Sequence, residues 1–290
     1  MDNARAGVIP LLAVQRAVAR KLFTILLASG LIACSLAFPV HERAGDNGGP
    51  SAGDGAPSPD SDGPTRSYRD EVLADAPSVY LRFGEKGGTM AADEMRAFAG
   101  TYPAAGVTYG VPGAIAGNAD TAIAFDGTSG VTMPPGLDFA GQTKFSIELW
   151  AKQTSYLNYG NTVDHGTYAS RSGWTLRAGF DGYGIERWSN GTTGGSTAIA
   201  PSPLALGAFH HLVGTFDGAI LRVYLDGALV TTGSTSTTSL TSMATGWMIG
   251  MQNCACSGQA FVGALDEVAV YPIALGADRI LTHYRVGSGT

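Results

Sequence analysis

Apolar and polar residues alternate over several stretches of the last third of the chain, and each stretch stops at a turn signal. Phe209 to Phe216 runs into Asp217-Gly218, and Ile220 to Leu225 runs into Asp226-Gly227. Asp-Gly tolerates the positive φ angles of hairpin turns, so the pattern predicts three consecutive antiparallel strands. Within the second stretch Leu221, Val223 and Leu225 share one parity and Arg222 and Tyr224 the other, as a sheet with one buried face requires. The same alternation sets Phe145, Ile147, Leu149 and Ala151 against Ser146, Glu148, Trp150 and Lys152. Further strands are predicted at Val79 to Phe83, Val107 to Val111, Ala122 to Phe125, Val131 to Met133, Trp174 to Phe180, Gly184 to Trp188, Trp247 to Gly250 and Phe261 to Tyr271. Two short helices frame them, one within Ser67 to Ala74 and one at Ala277 to Tyr284, where Ile280 and Tyr284 fall on one face.

Four strings occur in order: Phe145-Ser-Ile-Glu-Leu-Trp-Ala-Lys152, His210-His-Leu-Val-Gly-Thr-Phe-Asp-Gly218, Val223-Tyr-Leu-Asp-Gly227 and Gly263-Ala-Leu-Asp-Glu-Val-Ala-Val-Tyr271. Together they resemble the laminin-G-like (concanavalin A-like) domain of bacterial surface proteins. The resemblance covers roughly residues 67 to 290 and implies an all-β fold: a two-sheet antiparallel jelly-roll β-sandwich, here with a short C-terminal helix.

The N-terminal part reads differently. Residues 1–33 carry Arg5, Arg16, Arg20 and Lys21 and then the uncharged run from Leu22 to Ala33, the layout of a signal peptide. Leu31-Ile-Ala-Cys34 resembles a bacterial lipobox, in which Cys34 would be lipidated; the rival is ordinary cleavage after Ala37. The lipobox reading is preferred because the cysteine sits where the apolar run ends. Residues 34–66 are then a Gly-, Pro-, Ser- and Asp-rich tether too poor in apolar groups to fold. An exported chain attached to a membrane only through an N-terminal lipid is expected.

Without residues 1–33 the net charge is about −9, which offers no electrostatic footprint for nucleic acid or anionic lipid. In an oxidising compartment Cys254 and Cys256 are candidates for a strained loop disulfide, with two free thiols or a weak metal site as alternatives.

Chemistry-bearing residues are sparse. A glycosidase needs two carboxyl groups facing one glycosidic bond. Glu148 is the lone acid of its strand, and Asp266 and Glu267, as extended neighbours, should point to opposite faces. The expectation is therefore a non-catalytic module in which no two acids come into reactive register. The alternatives are an enzyme whose scattered acids Glu148, Asp164 and Glu186 meet on the concave sheet, or a structural envelope domain that contacts another protein. Tyr156, Tyr159 and Trp188 lie near strand ends, where flat rings can stack on sugars, and Asn158, Asn161 and Asp164 can bond hydroxyls. An extracellular glycan or surface protein is the expected partner.

Asp266 shares parity with Val262, Ala264, Val268 and Val270, a costly place for a charge unless it is paired. The family resemblance implies a structural calcium held by Asp93 and Asp266. The equal alternative is an ion pair of Asp266 with Arg82 or Arg96.

Overall fold

The computed structural model describes residues 66–141, 144–157, 159–167, 172–188, 195–233, 240, 245–253 and 259–290. Cys34, Cys254, Cys256, Asn158 and the leader and tether therefore lie outside the described residues. The elements in chain order are α1 (Tyr68–Ala74), β1 (Val79–Leu81), β2 (Met90–Ala91), β3 (Gly100–Thr101), β4 (Val107–Pro112), β5 (Thr121–Asp126), β6 (Val131–Met133), β7 (Phe145–Ser155) and β8 (Asn161–Thr167). There follow β9 (Ser172–Gly179), β10 (Gly182–Trp188), β11 (Gly195–Ala200), β12 (His210–Phe216), β13 (Leu221–Leu225), β14 (Ala228–Thr232), β15 (Trp247–Ile249), β16 (Val262–Tyr271) and α2 (Ala277–Ser288).

These strands form two antiparallel sheets. The first runs β14-β13-β12-β7-β16-β5-β4, with β1 also on β16; the second runs β11-β10-β9-β8-β15-β6-β3-β2. The expected jelly-roll-like sandwich with a short C-terminal helix is the observed fold. All four apolar residues of one β7 parity, Phe145, Ile147, Leu149 and Ala151, enter the core between the sheets, where Leu176 and Ile185 of the second sheet also pack. The hairpins form at both Asp-Gly signals by different means. Asp226 (φ 51°) and Gly227 (φ 78°) make a two-residue turn with both angles positive, whereas Asp217 folds a longer turn by accepting the N–H groups of Ala219 and Ile220.

The first sheet departs from expectation on its other face. Alternation predicts one solvated face, yet β7 is buried from Phe145 through Ala151. The cause is the helices: α1 and α2 pack there, so that Tyr68, Val72 and Ile280 join Trp150, Val213, Tyr224 and Tyr271 in a second apolar cluster. Ser67 caps α1 by accepting the Asp70 N–H at 3.2 Å, and α2 ends in a left-handed Gly289.

Glu148 is carried into that cluster, where it is fully buried, and not onto a groove. Its Oε1 accepts from the Tyr68 hydroxyl at 3.0 Å and from His211 Nε2 at 2.7 Å. Its Oε2 accepts from the Tyr271 hydroxyl at 2.6 Å. His283 Nδ1 of α2 lies 2.9 Å from Oε1, while its Nε2 lies 3.1 Å from Asp75 Oδ2. Burial alone would raise the Glu148 pKa, but the imidazoles of His283 and His211 outweigh it and hold the carboxyl well below the usual range. Burial alone would lower His283, and Glu148 overcomes it to raise the imidazole pKa. One carboxylate thus ties both helices to the sheet.

A bulge in β16 corrects the parity reading of Asp266. The register shifts between Asp266 and Ala269, and Glu267 adopts φ 53°. Leu265, Val268 and Val270 consequently face the inter-sheet core, while Asp266 pairs across the sheet with Trp150 beside the helical cluster. Both acids are buried on account of the bulge, where strict alternation would separate them. Nor does Asp266 receive the expected arginine. Arg82 pairs with Glu267 at 3.1 Å and with Asp120, while Asp266 Oδ2 accepts the Ala114 N–H at 2.8 Å. Burial and the neighbouring Glu267 charge raise the Asp266 pKa well above its ordinary value.

Candidate functional site

The outer face of the second sheet carries polar side chains. Along β9, Trp174, Leu176 and Ala178 point into the core, which leaves Thr175 and Arg177 on the outer face; along β10, Tyr183 and Ile185 point inward and leave Glu186 and Trp188 outside. β8 adds Asp164, and Asn161 sits at its start, where a register shift breaks the alternation. These side chains, with Tyr159, Gln252 and Gln259, line a cleft of about 250 Å³.

Backbone register decides what meets there. Asp164 pairs with Thr175, and Thr175 pairs in turn with Glu186, so three neighbouring strands put the two acids in one row. Asp164 and Glu186 therefore line one cleft. Glu148, the other acid of that set, is instead sealed in the first sheet.

The two carboxyl groups have unlike surroundings. Glu186 Oε1 takes Arg177 Nε at 2.6 Å, and its Oε2 takes the Trp188 indole N–H at 3.2 Å. Arg177 is shared with Asp181 at 2.6 Å, and its guanidinium lies 5.2 Å from the centre of the Tyr159 ring. Asp164 has no cationic partner among the described residues; its Oδ2 accepts the Asn253 N–H at 2.8 Å. Burial, reinforced by Glu186, raises the Asp164 pKa to about 6.

Three of the residues expected to contact a ligand, Tyr159, Asn161 and Trp188, line the cleft. Tyr159 is 47% exposed and presents its ring, whereas Asn161 already donates to Gln259 O at 3.0 Å and accepts from Thr175 at 3.1 Å, acting as wall. Tyr156 is turned elsewhere, its hydroxyl donating to Leu204 O at 2.6 Å. Thr175, Gln252 and Gln259 escaped the sequence reading. The polar parity of β9 carried a signal for Thr175, but nothing local marks the two glutamines, which reach the cleft from distant segments.

The donors suggested for calcium do not fit a shared ion. Asp93 spends both oxygens on four amides: Tyr80 and Met95 at 2.9 and 3.0 Å, Ala97 and Phe98 at 2.9 Å each. A carboxylate has about four acceptor positions, so these bonds saturate it. Among the described residues no three His, Cys, Asp or Glu side chains group as metal ligands.

The family model of the concanavalin A-like lectin/glucanases superfamily matches residues 125–281, more than half of the chain and including every strand that builds the cleft. The chain belongs to this superfamily. No curated protein matches it significantly. Among solved structures it is similar to domain 4 of AbnA, a GH43 extracellular arabinanase from Geobacillus stearothermophilus, in complex with arabinotriose. That match has 18% identity and a TM-score of 0.54 and spans 72% of this chain and 98% of that domain. It is similar also to a Trypanosoma rangeli sialidase (16% identity, TM-score 0.53, 71% of this chain and 32% of that one). A third match is the binding domain of Paraclostridial mosquitocidal protein 1 (14%, TM-score 0.52, 71% and 52%). At such identities the likeness is one of fold. The superfamily member described here spans about a third of the sialidase and half of the toxin domain.

Proposed function

We propose that this protein binds a short extracellular carbohydrate in the cleft of its second sheet. The observation that carries the proposal is the combination of an exposed Tyr159 ring and Trp188 with polar groups, Asp164, Thr175, Arg177 and Glu186, lining one cleft on the outer face of that sheet. Sugar rings present an apolar face that stacks on aromatic rings and a rim of hydroxyls that needs donors and acceptors. The cleft volume is small and suits one or two sugar units rather than a long polymer. The structurally similar arabinanase domain holds arabinotriose, which makes arabino-oligosaccharides the first probe. An exported location agrees with a similar domain coming from an extracellular enzyme.

The test is calorimetric titration of the purified full chain with arabinotriose and a panel of neutral oligosaccharides. Tyr159→Ala and Trp188→Ala are each expected to weaken binding at least tenfold, equivalent to about 1.4 kcal/mol. Tyr156→Phe should leave affinity unchanged, because that hydroxyl serves Leu204. Unaltered binding by both alanine variants, or no binding to any glycan, would overturn the assignment.

A further inference from the structure

Buried acids on the first sheet and its helices meet a cation. Glu148 lies against His211 and His283, Glu267 against Arg82, and Glu71 against Arg279. Asp164 differs. It is 4% exposed, it lines the cleft, and the groups that bond it are neutral: the Asn253 N–H at 2.8 Å, the Gly166 N–H and the Thr175 hydroxyl. A carboxylate has about four acceptor positions, so one is left to face the cleft.

The charges around it point the same way. From β9 comes Arg177 and from β10 Glu186, and the guanidinium is bonded by both Glu186 and Asp181. On the other flank β15 sets the uncharged Met248 opposite Asp164. Arg177 is thus spent on two carboxylates, and among the described residues three acids, Asp164, Glu186 and Asp181, stand against that one cation. A cleft of this sign attracts cations and repels anions. A divalent metal needs several oxygen ligands converging on one point, and among the described residues no three His, Cys, Asp or Glu side chains do so. An organic ammonium asks for less: one carboxylate and an aromatic surface beside it. The half-exposed Tyr159 ring and Trp188 supply the surface, and about 250 Å³ suits a single sugar ring.

Building on the carbohydrate-binding reading, we propose that the sugar selected by this cleft carries a free ammonium group: an amino sugar whose cation pairs with Asp164 while its ring lies against Tyr159 and Trp188. Acetylation of that nitrogen removes the charge and two of the three N–H donors, so N-acetylated sugars are rejected on the same ground. Binding also answers to pH. Burial raises the Asp164 pKa to about 6, so the empty site is ionised above that value and protonated below it. The ammonium pairs only with the ionised form. Affinity is therefore full above pH 6 and lost as the solution is acidified through it, and near pH 6 the arriving ligand expels a proton from the fraction of molecules that hold one.

The experiment titrates the full chain calorimetrically at pH 7 with glucosamine and galactosamine, each against its neutral parent hexose and its N-acetyl form. At least one amino sugar is expected to bind about tenfold or more tighter than its two counterparts, as a charge-assisted hydrogen bond gives. It should bind about tenfold more weakly at pH 5 than at pH 7, the ratio that a pKa of about 6 dictates. At pH 6, titrations in buffers of different ionisation enthalpy should show release of about half a proton. Asp164→Asn should bring the amino sugar and its neutral parent to equal affinity. Should that variant fail to fold, the pH dependence and proton release of the native protein test the same point. Neutral hexoses bound as tightly as the amino sugars would overturn the ammonium assignment and leave the carbohydrate reading standing; failure of every sugar to bind would remove both. A preference that survives Asp164→Asn, or that does not vary between pH 5 and 7, would equally overturn it.

Discussion

Replacing Glu148 with alanine is expected to cost about 4 kcal/mol and to lower the melting temperature by roughly 8–16 °C for a domain of this size. The large effect follows from what is stranded. Tyr68, His211, Tyr271 and His283 all direct a donor at this carboxylate from inside a buried cluster. Removing the acceptor leaves buried polar groups, one of them an imidazole that Glu148 had favoured as a cation, with nothing to compensate. Calorimetry reads the stability, and hydrogen exchange should localise the loosening to α1 and α2. A melting temperature within about 2 °C of the native value would contradict the role given to Glu148.

The same cluster fixes a pH dependence. Glu148 has a folded pKa below its ordinary 4.5, so its contribution is full above that value and is lost as pH falls toward the folded one. His283 has a folded pKa above its ordinary 6.5, so its contribution is full below 6.5 and is lost as pH rises through the folded value. The network therefore stabilises most between about pH 4.5 and 6.5. Asp164, Asp266 and Glu267 have raised pKa values and act in the opposite sense on acidification. For that reason the window is to be read as the difference between native protein and Glu148→Gln, in which those three acids cancel. A difference that stays flat from pH 4 to 8 would contradict the assignment.

Asp93→Ala is the second substitution expected to be severe, at about 3 kcal/mol or a fall of roughly 6–12 °C. Four backbone N–H groups share this side chain, three of them from the segment that immediately follows it. Asparagine is no remedy, because its amide nitrogen would face donors where an oxygen now accepts. Thermal unfolding together with amide exchange at Met95, Ala97 and Phe98 checks this, and native-like protection of those amides in the alanine variant would refute it. Added calcium should leave the melting temperature of the native protein unchanged if Asp93 is saturated in this way.

The fold was legible because the apolar parity of β7, β12 and β13 repeats without interruption and the turns are marked by Asp-Gly. What escaped lies where a residue's fate is decided at a distance. The polar face of β7 reads as solvated until α1 and α2, distant in sequence, are laid over it. Simple parity places Asp266 with Val268 and Val270, but a single bulged residue, Glu267, resets the alternation, and no local signal announces it. Asn161 to Thr167 is too polar to read as a strand, so β8 and the row containing Asp164 have no local signature. Asp164, Thr175 and Glu186 are spaced evenly by eleven residues, but that spacing acquires meaning only when two hairpins fold it into neighbours.

The two faces of the sandwich have been put to different uses, and the helices stand at the extremes of the described domain. α1 opens it, α2 closes it, and both lie on the first sheet, away from the cleft of the second. A surface or fusion partner coupled at either extremity would therefore approach from behind, so a sensor chip or display scaffold joined there should keep the cleft clear.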